Sequence, residues 1–283
     1  MIFIGDFVNM NSEDIGILAI QLHSKTGNKD VNIKKVEYFV DKNAKKGLDL
    51  VILPEFFSTG IDRKSFIENP EDTFGGETIS KISELAKKYK TNIVAGSVIE
   101  KDNGKLYNTS FVINRNGEIV GKYRKIHLYN YLGGTEGQNI TAGDKEIVAD
   151  LDFGKVGLAI CFDIRYPLHF KKLAKMGADI IVLPTAWVVP RELYYDKDML
   201  ANAQEMWIAM NKVRAYDNYV YFVSCGQTKD ANDKVSCIGN SMIVAPSSEI
   251  MAMAKNDETA IFAKVQLAAV ENYRKIYPIS EID

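Results

Sequence analysis

The chain has 283 residues, of which 46% are apolar and 25% charged, and its formal net charge is −2. This is the composition of an ordinary globular α/β protein with a sizeable core. It offers no basic footprint for nucleic acid and no polybasic membrane anchor. Three cysteines, Cys161, Cys225 and Cys237, form an odd and sparse set without a CxxC spacing. That argues against a disulfide framework and a zinc site, and favours a reducing cytoplasm.

The opening "MIFIGDFVNM" is partly apolar, but it lacks a basic n-region and carries Asp6. It reads as an extension over residues 1–14 rather than a signal peptide, with Met10 an alternative start. "IGILAIQL" (15–22) is expected to be the first buried strand. "NIKKVEYFVDKNAKKG" places Ile33, Val36, Phe39 and Val40 at amphipathic-helix spacing, with Gly47 as its stop. "LDLVILPEF" reads as a second strand, "ETISKISELAKKYK" as a second helix and "TNIVAGSVIE" as one further strand. "TSFVINRNGEIVGKYRK" is a hairpin turning at Asn116-Gly117.

Beyond it come "KVGLAICF" (strand), "PLHFKKLAKMG" (helix), "ADIIVLPTA" (strand) and "MLANAQEMWIAMNKVRAYDN" (long helix). "YVYFVSCG" and "NSMIVAPSSEIMAMA" complete the series as a strand and a hairpin. No linker or repeat divides the chain, so residues 15–283 read as one domain. Val/Ile/Leu-rich strands alternating with helices imply mixed sheets covered by helices. No GxGxxG or P-loop follows a strand, so a nucleotide cofactor is not indicated.

Three strand ends carry polar groups after apolar runs. "LVILPEF" presents Glu55, "GLAIC" presents Cys161, and "IIVLPTAW" presents Thr185 and Trp187; the hairpin closes on "YRKIHL" with Lys125. Reactive groups in such sheets collect beyond the carboxyl ends of strands. Each residue also has a bland reading. A cysteine in an apolar run packs as an inert thiol. Glu55 caps a turn. Lys125, with Lys122 and Arg124, belongs to a solvated surface strand. His23, His127 and His169 are structural. Taken together, a carboxylate, an ammonium and a thiol form a chemically complete nucleophilic set without histidine.

"LPEF", "YRKIHL" and "CFDIRYP" resemble, in order and spacing, the Glu-Lys-Cys signature of the nitrilase, or carbon–nitrogen hydrolase, superfamily. Glu55 and Lys125 are 70 residues apart, and Lys125 and Cys161 are 36 apart. "GGTEGQNITAGD" is similar to the segment carrying a fourth acid, here Glu136. The resemblance implies an α-β-β-α sandwich that pairs through its helical layers into a homodimer or higher homo-oligomer. It also implies hydrolysis of a small-molecule amide through a thioester, with no metal or organic cofactor. Glu55 would be the general base, Lys125 the oxyanion cation, Cys161 the nucleophile, Glu136 a supporting acid and the Phe162 backbone N–H a second oxyanion donor.

The length and architecture are most like those of the small amidases, including the omega-amidase branch; nitrilase and N-carbamoyl amidohydrolase share the triad. An acyltransferase or a catalytically silent binding subunit is the rival from another class. Arg165, Tyr166, Trp187 and the loop "VVPRELYYDKD" are candidate pocket walls, with Arg191 a candidate partner for a substrate carboxylate. Two departures stand out: Leu168 occupies the usual acid position after "RYP", and Ser247 a common glycine position. Omega-amidases also usually carry Phe at the position of Trp187.

Overall fold

The computed structural model describes residues 13–278 except 73–75, 132–133, 191, 193–194 and 229–235. The first half of the chain builds one mixed sheet. Its strands are β1 (Ile15–Gln21), β2 (Leu50–Ile52), β3 (Asn92–Val94), β4 (Val98–Asp102), β5 (Lys105–Ile113) and β6 (Ile119–Arg124). Helices α1 (Lys29–Asn43), α2 (Arg63–Glu68) and α3 (Glu77–Tyr89) lie among them. The second half adds β7 (Val148–Leu151), β8 (Gly154–Leu158), α4 (Pro167–Lys175), β9 (Ile180–Thr185), β10 (Val188–Val189) and α5 (Lys197–Tyr216). It continues with β11 (Tyr221–Gly226), β12 (Ser236–Cys237), β13 (Met242–Val244), β14 (Ile250–Met253), β15 (Thr259–Val265) and α6 (Ala268–Ile276).

The seven-stranded sheet runs β15-β1-β2-β3-β5-β4, with β6 on the other side of β5; the six-stranded sheet runs β14-β13-β11-β9-β8-β7. Ile17, Ala19, Ile52 and Val94 of the first sheet meet Leu158, Val182, Val223 and Ile243 of the second in a central core. The opposite face of the first sheet, with Leu18, Ile20 and Val51, packs on Val36, Val40, Ile79 and Ile82 of α1 and α3. Ile181, Leu183 and Phe222 of the second sheet pack on Phe170, Leu173 and Trp207 of α4 and α5. The result is the expected α-β-β-α sandwich. Both faces of its inner strands are buried, which is why those strands read as continuous apolar runs.

Several local expectations are corrected. Helix α1 starts earlier than its apolar spacing suggested, because the Asn28 side chain caps it by accepting from Val31 N at 3.1 Å. "TNIVAGSVIE" is two strands, not one. Gly96 breaks it at φ +45°, and a Cβ there would lie 2.1 Å from Pro54 O. The break lets the backbone leading to Glu55 come close, which only glycine permits. "KVGLAICF" ends as a strand at Leu158, and Cys161 opens a separate 3-10 turn, Cys161–Arg165. Strands β7 and β15 and helix α6 are elements beyond those expected from the sequence. Residues 1–12 of the expected extension are outside the described residues; Asp14 accepts from Gln266 Nε2 at 3.0 Å.

Candidate active site

Four side chains meet at the end of the sandwich where β2, β6, β8 and β9 stop. Glu55 follows β2 through Pro54, on a backbone fixed by Ser97 N donating to Pro54 O at 3.3 Å and Phe56 N donating to Ser97 Oγ at 3.1 Å. Its Oε1 accepts from Lys125 Nζ and from Asn108 Nδ2, both at 2.9 Å, and its Oε2 accepts from Ala186 N at 2.8 Å. Lys125 follows β6 and is only 2% exposed. Its Nζ also donates to Glu136 Oε2 at 2.8 Å. Glu136 accepts further from Asn108 Nδ2 at 2.9 Å and Tyr129 N at 2.8 Å. An ammonium has three N–H donors, and two of those on Lys125 are engaged by carboxylates.

Cys161 lies against this group. It is 8% exposed, and Glu55, Lys125, Thr185 and the Ala186 backbone face its sulfur. Its φ is +46°, a left-handed conformation that costs a non-glycine residue about 1–3 kcal/mol and persists only where the surroundings enforce it. Asp163 supplies that enforcement. Its Oδ2 accepts from Ile160 N at 2.8 Å and from Tyr123 OH at 2.7 Å, and its Oδ1 accepts from His127 N at 3.1 Å and pairs with His127 Nδ1 at 2.6 Å. Phe162 N is the second N–H of the 3-10 turn, a position where the helix itself offers no acceptor.

The electrostatics follow from burial and charge. Burial pushes the Cys161 thiol well above its ordinary value, Glu55 adds to the rise, and Lys125, Thr185 and the Ala186 N–H oppose it. Burial also raises Glu55 above the usual carboxylate range, with Lys125 opposing and Glu136 adding. Burial disfavours the charge on Lys125, but Glu136, Glu55 and Cys161 outweigh it and hold the ammonium well above its normal value. Asp163 is depressed despite burial, chiefly by His127 and then by His169 and the Ile160 N–H. Burial thus holds the thiol in its neutral form beside the Lys125 ammonium.

The structure thus brings Glu55, Lys125, Glu136, Cys161 and Phe162 together. Arg165 is exposed, with its guanidinium 5.7 Å from the Trp187 ring centroid. Tyr166 stacks on His127 with ring centroids 3.6 Å apart, and half-buried Trp187 packs on Trp207 at 5.1 Å. Arg191 lies outside the described residues. Leu168 is 75% exposed, so no buried partner is missing at that departure. Lys122 and Arg124 are not a solvated patch: both pair with buried Glu100, at 2.9 and 2.8 Å. His127 is structural in a specific sense, as a partner of Asp163. Asn108 was missed in the sequence. Its Nδ2 bridges Glu55 and Glu136, and an asparagine at the head of the strand segment "NTSFVI" was the available signal. Among the described residues, no three His, Cys, Asp or Glu side chains are arranged to hold a metal ion, and no helix is long and apolar enough to cross a membrane.

Comparison with known proteins agrees with this geometry. The Dictyostelium discoideum protein "Nitrilase homolog 2" is 32% identical over 89% of this chain and 75% of its own length. The human "Omega-amidase NIT2" is 30% identical over 95% of this chain and 94% of its own length. The crystal structure of Saccharomyces cerevisiae Nit3, described as a member of branch 10 of the nitrilase superfamily, superposes with a TM-score of 0.84 at 27% identity, covering 95% of this chain and 96% of that one. The sequence profile of carbon–nitrogen hydrolases matches residues 17–275, and the chain belongs to that family.

Proposed function

We propose that the protein is a cysteine-dependent amidase of the omega-amidase type, hydrolysing the terminal amide of a small aliphatic acid to carboxylate and ammonia. The observation that carries this reading is the position of one carboxylate: Glu55 is bonded to Lys125 Nζ and faces the Cys161 thiol. Relatives named omega-amidase in yeast and human, matched over nearly their whole length, support the substrate class. A soluble cytoplasmic setting suits free cysteines.

A neutral thiol needs a base. As Cys161 Sγ attacks the amide carbon, Glu55 takes the thiol proton and the carbonyl pair moves onto oxygen. That oxyanion is held by the third N–H of Lys125 and by Phe162 N, groups worth about 3–4 kcal/mol each when aimed in advance. Collapse breaks the C–N bond, and the nitrogen takes the proton from Glu55 and leaves as ammonia. A thioester remains on Cys161. Glu55 then removes a proton from water, the resulting hydroxide adds to the thioester, the C–S bond breaks, and sulfur recovers the proton. Glu136 and Asn108 hold Lys125 and Glu55 in register throughout. Arg165, Tyr166 and Trp187 wall the entrance.

An ammonia-release screen over ω-amides, short aliphatic amides, nitriles and N-carbamoyl compounds tests this, with intact mass spectrometry of the trapped enzyme. The expected result is preference for ω-amides and an acyl adduct on Cys161. Turnover by Cys161→Ala would overturn the mechanism, and preference for nitriles or carbamoyl compounds the substrate class.

The assembly belongs to the same proposal. On α5, Met199, Met206, Val213 and Tyr216 are exposed along one helical stripe, and Leu168 and Met176 are exposed on and beside α4. That face suits pairing with a second copy. Met206→Glu is expected to halve the mass seen by light scattering; an unchanged mass would argue against pairing through this face.

A further inference from the structure

Thr185 is the last residue of β9, and its role is not explained by the chemistry above. It is 1% exposed, and its Oγ1 is buried without a hydrogen-bond partner. The neighbouring strands fix its direction. The parallel ladder of β8 and β9 ends where Leu158 stands opposite Val182 and Ala159 N donates to Val182 O at 3.1 Å, and the 3-10 turn that Cys161 opens then lies against the end of β9. On the other side Thr185 pairs with Gly226 of β11, and its Cγ2 methyl lies 3.3 Å from where a glycine Cβ would be. Gln227 N donates to Thr185 O at 3.1 Å, and the next residue's N–H holds Glu55. The methyl is thus turned to Gly226, while the hydroxyl faces the sulfur and favours its ionised form.

A buried hydroxyl left unpaired costs free energy, and such groups in native structures call for an explanation. Resting on the cysteine mechanism above, we propose that the Thr185 hydroxyl is a catalytic hydrogen-bond donor to Cys161 Sγ whenever that sulfur carries negative charge. The bond is absent against the neutral thiol and forms as the sulfur ionises. It becomes charge-assisted as Glu55 takes the thiol proton, and again when the C–S bond of the second tetrahedral intermediate breaks and sulfur leaves. Thr185 keeps its own proton throughout; the mobile proton passes between sulfur, Glu55, the leaving nitrogen and water. The hydroxyl is paired only in the states the enzyme must stabilise, which is where binding interactions accelerate a reaction.

The test is Thr185→Val, which keeps the shape and removes the hydroxyl, beside Thr185→Ala and Thr185→Ser. The substrate-free readout is the rate at which iodoacetamide alkylates Cys161, followed by peptide mass from pH 6 to 10; the second readout is kcat on the best amide of the screen. Thr185→Val is expected to slow alkylation at neutral pH and to lower kcat by on the order of tenfold with KM little changed. It should at the same time move the urea midpoint upward, because an unpaired buried hydroxyl has been removed. Ser should restore the rate to within a few-fold, and Ala should behave as Val should Val not fold. A residue that only packs would not lose rate while gaining stability. Alkylation and kcat at wild-type levels in Val or Ala would overturn the proposal. Should Cys161→Ala remain active, the cysteine mechanism itself fails; should Cys161→Ala be inert while Thr185→Val is unaffected, only the role of Thr185 fails.

Discussion

Replacing Lys125 by methionine would leave Glu55 and Glu136 facing each other across Asn108, with no cation between them. The ammonium is bonded to both, at 2.9 and 2.8 Å, and all three side chains are buried. Removing one partner from such a set typically costs about 3–5 kcal/mol, because the remaining charge stays out of water. That is a large share of a total stability of about 5–15 kcal/mol. The loss should depend on pH in a defined direction. Glu55 is already raised by burial, and Lys125 is the main force opposing the rise; without it the folded pKa climbs further above the unfolded value near 4.3. A group raised in the folded state contributes stability below its unfolded pKa and loses it as pH rises through the folded pKa. Lys125→Met should therefore lose stability more steeply than the wild type as pH rises from about 5 to 8. Adding Glu55→Gln should flatten that slope and recover at least about 1 kcal/mol. Urea unfolding followed by circular dichroism at several pH values measures both quantities. A Lys125→Met protein within about 1 kcal/mol of wild type, with the same pH slope, would refute the buried-charge account.

Glu55→Gln alone should fold and lose on the order of 10²–10⁴-fold in kcat, the contribution typical of a general base, while Cys161 remains alkylatable at high pH. Because the Cys161 thiol is raised, its alkylation rate should keep climbing past the ordinary cysteine value near 8.5, and a plateau below that value would contradict the assignment. Asp163→Ala leaves Ile160 N, His127 N and Tyr123 OH without their acceptor and should cost about 3–5 kcal/mol by urea unfolding, whereas Asp163→Asn should cost less. The depressed Asp163 pKa stabilises the fold above the unfolded value near 3.9 and ceases to do so as pH falls through the folded pKa, so the gap between wild type and Asp163→Asn should close in acid. His169 is lowered by burial, against Asp163 and Glu146 and with His127, so it withdraws stability as pH falls from about 6.5. His169→Phe should flatten the stability profile between about pH 6.5 and 5, and an unchanged slope would show that another group titrates there.

The sandwich was legible because its inner strands are buried on both faces, and the runs "ILAI" (17–20) and "IIVL" (180–183) announce that by being apolar at every position. What stayed hidden was geometry that periodicity does not encode. "TNIVAGSVIE" carries no charge or proline across Ala95–Ser97, and only the approach of the Pro54 carbonyl reveals why the strand must break at Gly96. Strand β15 buries Ile261, Ala263 and Val265 on alternate positions of "TAIFAKV", a pattern blurred by the apolar Ala260 and Phe262 between them, yet it pairs with β1 along all seven residues. Glu55 and Cys161 could be read because each follows an apolar run, and Lys125 because "YRKIHL" completes the same signature; Asn108 and Asp163 could not, since their importance lies in partners far away in sequence. Lys122 and Arg124 looked like surface charge because their acceptor, Glu100, is buried on another strand.

Asp163 shows how the two halves of the site are kept in register. The nucleophile stands on the second sheet and Lys125 on the first, and sheets meeting only through apolar side chains could slide by fractions of an ångström. A 1 Å error at a reacting centre can cost about a hundredfold in rate. Polar ties remove that freedom, among them the Ala186 N–H on Glu55, the Ser241 N–H on Gln21 and, nearest the nucleophile, the Asp163 carboxylate. That carboxylate caps Ile160, immediately before Cys161, and binds Tyr123 and His127, each two residues from Lys125. Tyr123 OH in turn accepts from Ile126 N at 3.2 Å, closing the turn around the lysine backbone. Lys125 is thereby gripped on its main chain from the side of the nucleophile and at its Nζ from the side of the two glutamates. The strained φ of Cys161 and the position of the ammonium depend on the same carboxylate, so the sulfur cannot shift without drawing the segment that carries its cation along with it.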